Sequence, residues 1–224
     1  MADLRRPAIC LVTDRRRLPS PQHDNLVRLA ASAAAAGVDL IHLRERDLDD
    51  RSLLALARDV VRAAAGARVV VNDRADIAIA AGAAGVHLRA DSVPASRLRA
   101  WVPEPFLIGR SIHSAEEAGR VEGGLDYLVL GTVYPTASKP GRTGVVGLEA
   151  LREACRATRL PVLAIGGITA DRVTDIAAAG AAGFAAIGLF ADLAGADRGD
   201  NLHGLASLVA DARRDFAARA SLPG

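Results

Sequence analysis

A single lysine, Lys139, stands among 28 Lys+Arg residues, in the run Thr136-Ala137-Ser138-Lys139-Pro140-Gly141-Arg142. Hydroxyls beside a compact ammonium on a flexible stem suit phosphate oxygens. More cations lie in His42-Leu43-Arg44-Glu45-Arg46. Alternate residues of a strand project to one face, which puts His42 and Arg44 on the same side. Arg44 and Arg46 then join Lys139 in supplying positive charge to a phosphorylated ligand. Glu45 either orients those cations or acts as a general base, and His42 is either a hydrogen-bonded interior residue or a proton carrier. Gly166-Gly167 and Gly188 would let backbone N–H groups approach an anion without an intervening Cβ. Asp73 and Asp91 form the kind of carboxylate pair that holds Mg²⁺ together with phosphate oxygens. Read singly, Asp73 could pair with Arg74, and Asp91-Ser92 could cap a helix. His87 and His113 read as structural partners of neighbouring strands.

The elements that must bring these groups together are legible as an alternation. Apolar, β-branched runs at 8–13, 40–43, 68–72, 85–88, 106–112, 127–133, 161–165 and 183–188 read as buried parallel strands. Helical stretches lie between them near 23–36, 50–65, 74–81, 94–102, 114–122, 147–157, 170–179 and 203–218, as crossovers between parallel strands require. The pattern predicts an α/β fold, a single-domain (β/α)₈ TIM barrel over residues 1–224, with a doubly wound open sheet as the alternative. In such a barrel the site gathers at the C-terminal ends of the strands, and loops after strands seven and eight commonly bind phosphate. The polar groups above fall at those ends, with Gly166-Gly167 after strand seven and Gly188 after strand eight. Ser114 and Thr169 are predicted helix caps, and the glycines of Ala36-Gly37, Ala84-Gly85 and Ala182-Gly183 read as helix terminators.

Composition narrows the function. A net charge of +2 and only Trp101, two Tyr and four Phe argue against nucleic-acid binding, which needs a basic footprint and stacking rings. No apolar stretch is long enough to span a membrane. Cys10 and Cys155 lack metal-ligand spacing and fit a reducing compartment, so a cytoplasmic protein acting on small phosphorylated substrates is expected. A homo-oligomer is left open.

In order along the chain, His42-Leu43-Arg44-Glu45-Arg46, Val71-Asn72-Asp73, Gly85-Val86-His87-Leu88, Ser111-Ile112-His113, Tyr134-Pro135-Thr136-Ala137-Ser138-Lys139 and Ala164-Ile165-Gly166-Gly167-Ile168 resemble the thiamine-phosphate synthase/thiazole tautomerase family. The resemblance implies a synthase that joins an aminopyrimidine diphosphate to a thiazole phosphate. Diphosphate would leave to give a pyrimidinylmethyl cation, which the thiazole nitrogen attacks. It implies that Arg44, Arg46, Asn72, Ser111 and Lys139 hold the diphosphate substrate, with Mg²⁺ on Asp73 and Asp91. Thr136, Ser138, Gly167, Ile187 and Gly188 would hold the thiazole phosphate. His42 replaces the synthase glutamine and Arg46 its lysine. After His87 the synthases carry a Gly-Gln step and an aspartate one residue beyond Asp91, where this chain has Arg89-Ala90-Asp91. The His-x-Arg-Glu-Arg run resembles the tautomerase branch, although the histidine credited with its proton transfer falls at Thr132. A thiazole tautomerase is the alternative activity, and a non-catalytic thiazole-phosphate-binding barrel the alternative class.

Overall fold

The computed structural model describes residues 4–136, 144–193 and 198–220. Eight parallel strands close into a barrel in sequence order: β1 (Ala8–Val12), β2 (Leu40–Leu43), β3 (Arg68–Asn72), β4 (Gly85–Leu88), β5 (Leu107–Ile112), β6 (Tyr127–Gly131), β7 (Val162–Ile165) and β8 (Gly183–Ala186). Closure is made by β1 against β8, with Ala8 opposite Gly183 and Cys10 opposite Ala185. The predicted barrel is therefore the observed one, and the open sheet is not.

The strands read as unbroken apolar runs because both of their faces are buried. Along β1, Ala8, Cys10 and Val12 turn inward and meet Leu40, Val70, Leu107, Tyr127, Val129, Leu163 and Ala185 in the barrel interior. Ile9 and Leu11 turn outward into the larger layer beneath the helices. Those helices are α1 (His23–Ala35), α2 (Asp50–Ala63), α3 (Ala75–Ala81), α4 (Ala95–Arg99), α5 (Ala115–Gly119), α6 (Gly147–Ala157), α7 (Val173–Ala178), α8 (Gly188–Ala191) and α9 (Arg198–Ala220). Helix α9 returns to pack on α1 and α7 through buried Leu205, Leu208, Val209 and Ala212.

Several local expectations are corrected. Strand β8 stops at Ala186, and Gly188 opens the short helix α8; α9 starts at Arg198, ahead of the predicted 203. Ser114 caps α5 by accepting from the Glu117 N–H at 3.1 Å, but Thr169 makes no side-chain cap. Gly37 does end α1, at φ 93°. Gly85 and Gly183 have a different reason: a Cβ would lie 2.1 Å from Leu107 O and 2.0 Å from Ala8 O, so glycine there permits close packing of adjacent strands.

The N-terminal end of the barrel is closed by two similar ion pairs. Asp39, just before β2, accepts the Ile9 N–H at 2.9 Å and pairs with Arg213 of α9 at 2.9 Å. Asp126, just before β6, accepts the Ile108 N–H at 2.8 Å and pairs with Arg99 of α4 at 2.6 Å. Each carboxylate ties a strand's backbone to a helix of the outer ring.

Candidate active site

At the other end, the inward positions stop being apolar. Two residues on from Leu40, Val70, Gly85 and Gly109, the same strand faces carry His42, Asn72, His87 and Ser111. His42 Nε2 lies 3.2 Å from Asn72 Oδ1. His87 bridges Ser111 Oγ at 2.9 Å and Tyr127 OH at 3.1 Å. The two imidazoles stand 4.4 Å apart between ring centroids. Burial depresses both, His87 to about 3 and His42 well below its ordinary range, and His42 is pushed further by His87 and Arg44. Both rings are therefore uncharged at neutral pH. His113 is instead tied to the barrel wall, its Nδ1 2.8 Å from Gly131 O.

Glu45 is buried, and its carboxylate accepts from Thr13 Oγ1 at 2.7 Å and from the Arg15 backbone and guanidinium at 3.1 and 3.0 Å. Arg15 also clamps Asp47 at 2.8 Å. Thr13 Oγ1 in turn accepts the Arg44 N–H at 2.9 Å. Glu45 thus locks the β1 loop to the β2 loop and fixes the backbone from which Arg44 and Arg46 extend. Burial raises its carboxyl against the pull of Thr13 and Arg15. Among the described residues, no acceptor hydrogen-bonds the guanidinium of Arg44, Arg46 or Arg17. Burial and the nearby Arg46 together lower Arg44 from its ordinary range, the response of a half-buried cation held near like charge.

The glycine loops lie across the mouth. Gly166 and Gly167 have φ of 100° and 64°, and a Cβ on them would meet Thr132 Cγ2 at 2.4 Å and Pro135 O at 2.5 Å. The segment after β6 is seated directly on this bend, with Tyr134 N–H donating to Gly166 O at 3.0 Å. Arg172 holds the bend from outside, donating to Gly167 O at 2.6 Å and lying 4.5 Å from the Tyr134 ring centre. Thr136 ends the described part of this segment; Ser138 and Lys139 lie outside the described residues. Ile187 and Gly188 follow β8, and the Arg17 guanidinium comes within 3.3 Å of where a Gly188 Cβ would stand. A β1-loop cation therefore overhangs the β8 glycine.

Asp73 follows β3 in the left-handed region, at φ 55°, a conformation aspartate tolerates better than most residues. The bend carries its carboxylate to Ser92 Oγ, which donates to it, and to Arg89 Nε at 3.3 Å. The same Nε lies 3.0 Å from Asp91 Oδ1. Arg74 turns away to Asp50 and Asp76, and neither Asp91 nor Ser92 caps α4, whose N-terminal neighbour is Pro94. No group of three or more His, Cys, Asp or Glu suited to a metal occurs among the described residues. Mg²⁺ needs only one or two protein carboxylates when phosphate supplies the rest. A donor set that converges on one cationic nitrogen fits such an ion, provided Arg89 withdraws.

The geometry thus assembles a cation-lined, glycine-rimmed mouth over an uncharged polar layer. Residues 9–190 match the model of the family described as thiamine monophosphate synthase. The chain belongs to that family. It is 46% identical over 180 residues to the thiamine-phosphate synthase of Methanoculleus marisnigri, covering 79% of this chain and 84% of that one. It is 38% identical over 180 residues to the thiamine-phosphate synthase of Methanospirillum hungatei, covering 79% and 86%. Among solved structures, the thiamine phosphate pyrophosphorylase of Pyrococcus furiosus superposes with a TM-score of 0.78 at 29% identity, over 94% of this chain and 98% of that one.

Within this family's barrel, four residues emerge that sequence reading did not assign to the site. Arg17 was signalled only by the run Arg15-Arg16-Arg17 directly after β1. Arg89 was visible only as a departure from the synthase pattern before Asp91, and Ser92 only as part of a possible helix cap. Tyr127 looked like a strand residue and nothing more. A cavity of about 470 Å³ is also lined by Ser111 itself, together with Ala90, Arg110, Ser114, Glu117 and Arg120 among others. Its walls carry both signs of charge, so it lacks the anion-directed character of the mouth.

Proposed function

We propose that this enzyme of thiamine biosynthesis is a thiamine-phosphate synthase: it joins an aminopyrimidine diphosphate to a thiazole phosphate, giving thiamine phosphate and diphosphate. The observation that carries the reading is the convergence of cations without described partners (Arg44, Arg46 and Arg17) on the mouth bordered by Gly167 and Gly188. Two anionic substrates need two anion sites, and these are assigned to the β2 and β8 sides of the mouth, which flank β1. Arg44, Arg46, Lys139 and the Ser111 hydroxyl hold the diphosphate. Gly166, Gly167, Ile187, Gly188, Thr136, Ser138 and Arg17 surround the thiazole phosphate, with Glu45 fixing the loops beneath the cations.

In the reaction the C–O bond to diphosphate breaks with its electron pair passing to the leaving oxygen. The thiazole nitrogen then donates its lone pair to the methylene carbon. Fixed positive charge around the leaving group stabilises the developing anion without reorganisation. The uncharged layer formed by His42, Asn72 and His87 suits a pyrimidine ring that becomes cationic, because a protonated imidazole there would oppose it. Mg²⁺, held by Asp73 and Asp91 together with diphosphate oxygens, would add charge neutralisation when bound. Cys10 and Cys155 are free thiols, which supports a reducing, cytoplasmic setting.

The test is an assay of the purified protein with aminopyrimidine diphosphate and thiazole phosphate, with and without Mg²⁺, following thiamine phosphate and diphosphate. Stoichiometric formation of both products is expected. Binding of thiazole phosphate without coupling would overturn the synthase reading and return attention to the tautomerase. Thr132, whose methyl overlies Gly166, offers that reaction no acid–base group.

A further inference from the structure

We infer that Tyr127 and His87 are positioning residues that force Ser111 to present its hydroxyl proton, rather than its lone pairs, to an anionic oxygen in the barrel mouth. The inference deepens the proposed function by specifying how one diphosphate contact is oriented. It rests on hydrogen-bond accounting in a closed environment. Tyr127 is fully buried, His87 nearly so, and the two bonds along the chain are 3.1 and 2.9 Å long.

An uncharged imidazole has one donor nitrogen and one acceptor. If His87 Nδ1 carried the proton, it would donate to Tyr127 OH. The phenol's own proton would then be buried without an acceptor, a costly state. Burial also holds the phenol protonated, so it does not escape by ionising. The arrangement that satisfies every group is Tyr127 O–H donating to Nδ1, and Nε2–H donating to Ser111 Oγ. Ser111 has then accepted its inner bond, and its own O–H is free to donate outward. The opposite arrangement would turn the serine proton inward and face the ligand with lone pairs, repelling a diphosphate oxygen.

Sequence and packing explain how the phenol reaches this place. Gly109 stands two residues before Ser111 on β5, and a Cβ there would lie 2.1 Å from Tyr127 Cζ. The absent side chain leaves the room that the Tyr127 ring fills. No ligand needs to touch Tyr127, His87 Nδ1 or Gly109 for the effect to operate.

The experiment begins with the intact protein and needs no substitution. Long-range ¹H–¹⁵N correlation spectra of the histidines are expected to show His87 with protonated Nε2 and bare Nδ1. A His87 protonated at Nδ1 would overturn the inference. Next, the affinity for inorganic diphosphate is measured by calorimetry for wild type, Ser111→Ala, Tyr127→Phe and the double variant. We expect weakening of about tenfold for Ser111→Ala and about threefold for Tyr127→Phe, in line with one hydrogen bond to a charged group. The double variant should be no weaker than Ser111→Ala, because Tyr127 acts through that serine. Multiplying effects, or a Tyr127→Phe protein whose His87 tautomer and diphosphate affinity both match wild type, would overturn it. These readouts need no turnover, so they stand or fall separately from the coupling assay.

Discussion

The two ends of the barrel use arginine in opposite ways. At the N-terminal end Arg99 and Arg213 are spent on Asp126 and Asp39, carboxylates that are 0% and 8% exposed. These pairs also bond strand backbone, so they complete the closure. At the C-terminal end Arg44, Arg46 and Arg17 extend from the loops that follow β2 and β1, and no acceptor among the described residues bonds their guanidinium groups. The same residue type, inserted throughout a chain with one lysine, therefore serves as a fastener below and, in the function proposed, as a receptor above. What separates the roles is the partner: a cation already matched by a buried carboxylate has little left to offer a ligand. Arg89 stands between the two cases, at the active end but engaged by Asp73 and Asp91.

Substitutions can break this contrast. The largest effect is expected from Lys139→Ala or Arg44→Ala, each lowering kcat/KM for coupling by about 10²–10³, the range for loss of one preorganised charge-stabilising group. Thermal melting should barely move, and a matching loss of stability would erase the distinction between the two ends. Arg99→Ala should do the reverse, destabilising the fold by about 3 kcal/mol because it takes the matching cation from a buried carboxylate. Denaturant titration measures this, and kcat/KM of the folded enzyme should stay within about twofold of wild type, well under the 1.4 kcal/mol of a tenfold change. The smallest effect sharpens the intermediate case. Arg89→Ala should tighten Mn²⁺ binding to the substrate-free protein by about fivefold, since Arg89 is half-exposed and such pairs contribute under about 1 kcal/mol each. Paramagnetic resonance titration reads it directly; unchanged affinity would place the divalent ion away from the Asp73–Asp91 pair.

The barrel was legible because strands buried on both faces leave continuous apolar runs, and each of the eight is found where the sequence placed it. The mouth was legible in outline for a related reason: the C-terminal strand ends are where chain polarity returns. What did not show was anything set by the bend between elements. Strand β8 reads through to Gly188 as apolar sequence, but Ile187 and Gly188 turn into α8. The partner of Asp73 is Arg89 rather than the adjacent Arg74, because a left-handed residue redirects the chain. Gly85 and Gly183 resemble helix terminators by their alanine neighbours, whereas their role comes from strand proximity that no single segment reveals. Tyr127 was hidden most completely, since its importance depends on an empty volume contributed by another strand.

That empty volume has a consequence for how this chain can change over generations. Alanine is abundant in this chain, and the helices carry it freely. Position 109 is closed to it, because one methyl group would displace the Tyr127 ring and, through His87, rotate the hydroxyl that faces the substrate. A survey of substitutions across the gene would therefore rank Gly109 among the least tolerant sites, although it has no side chain and touches no reactant. The most constrained positions of an enzyme need not be the ones that meet its chemistry.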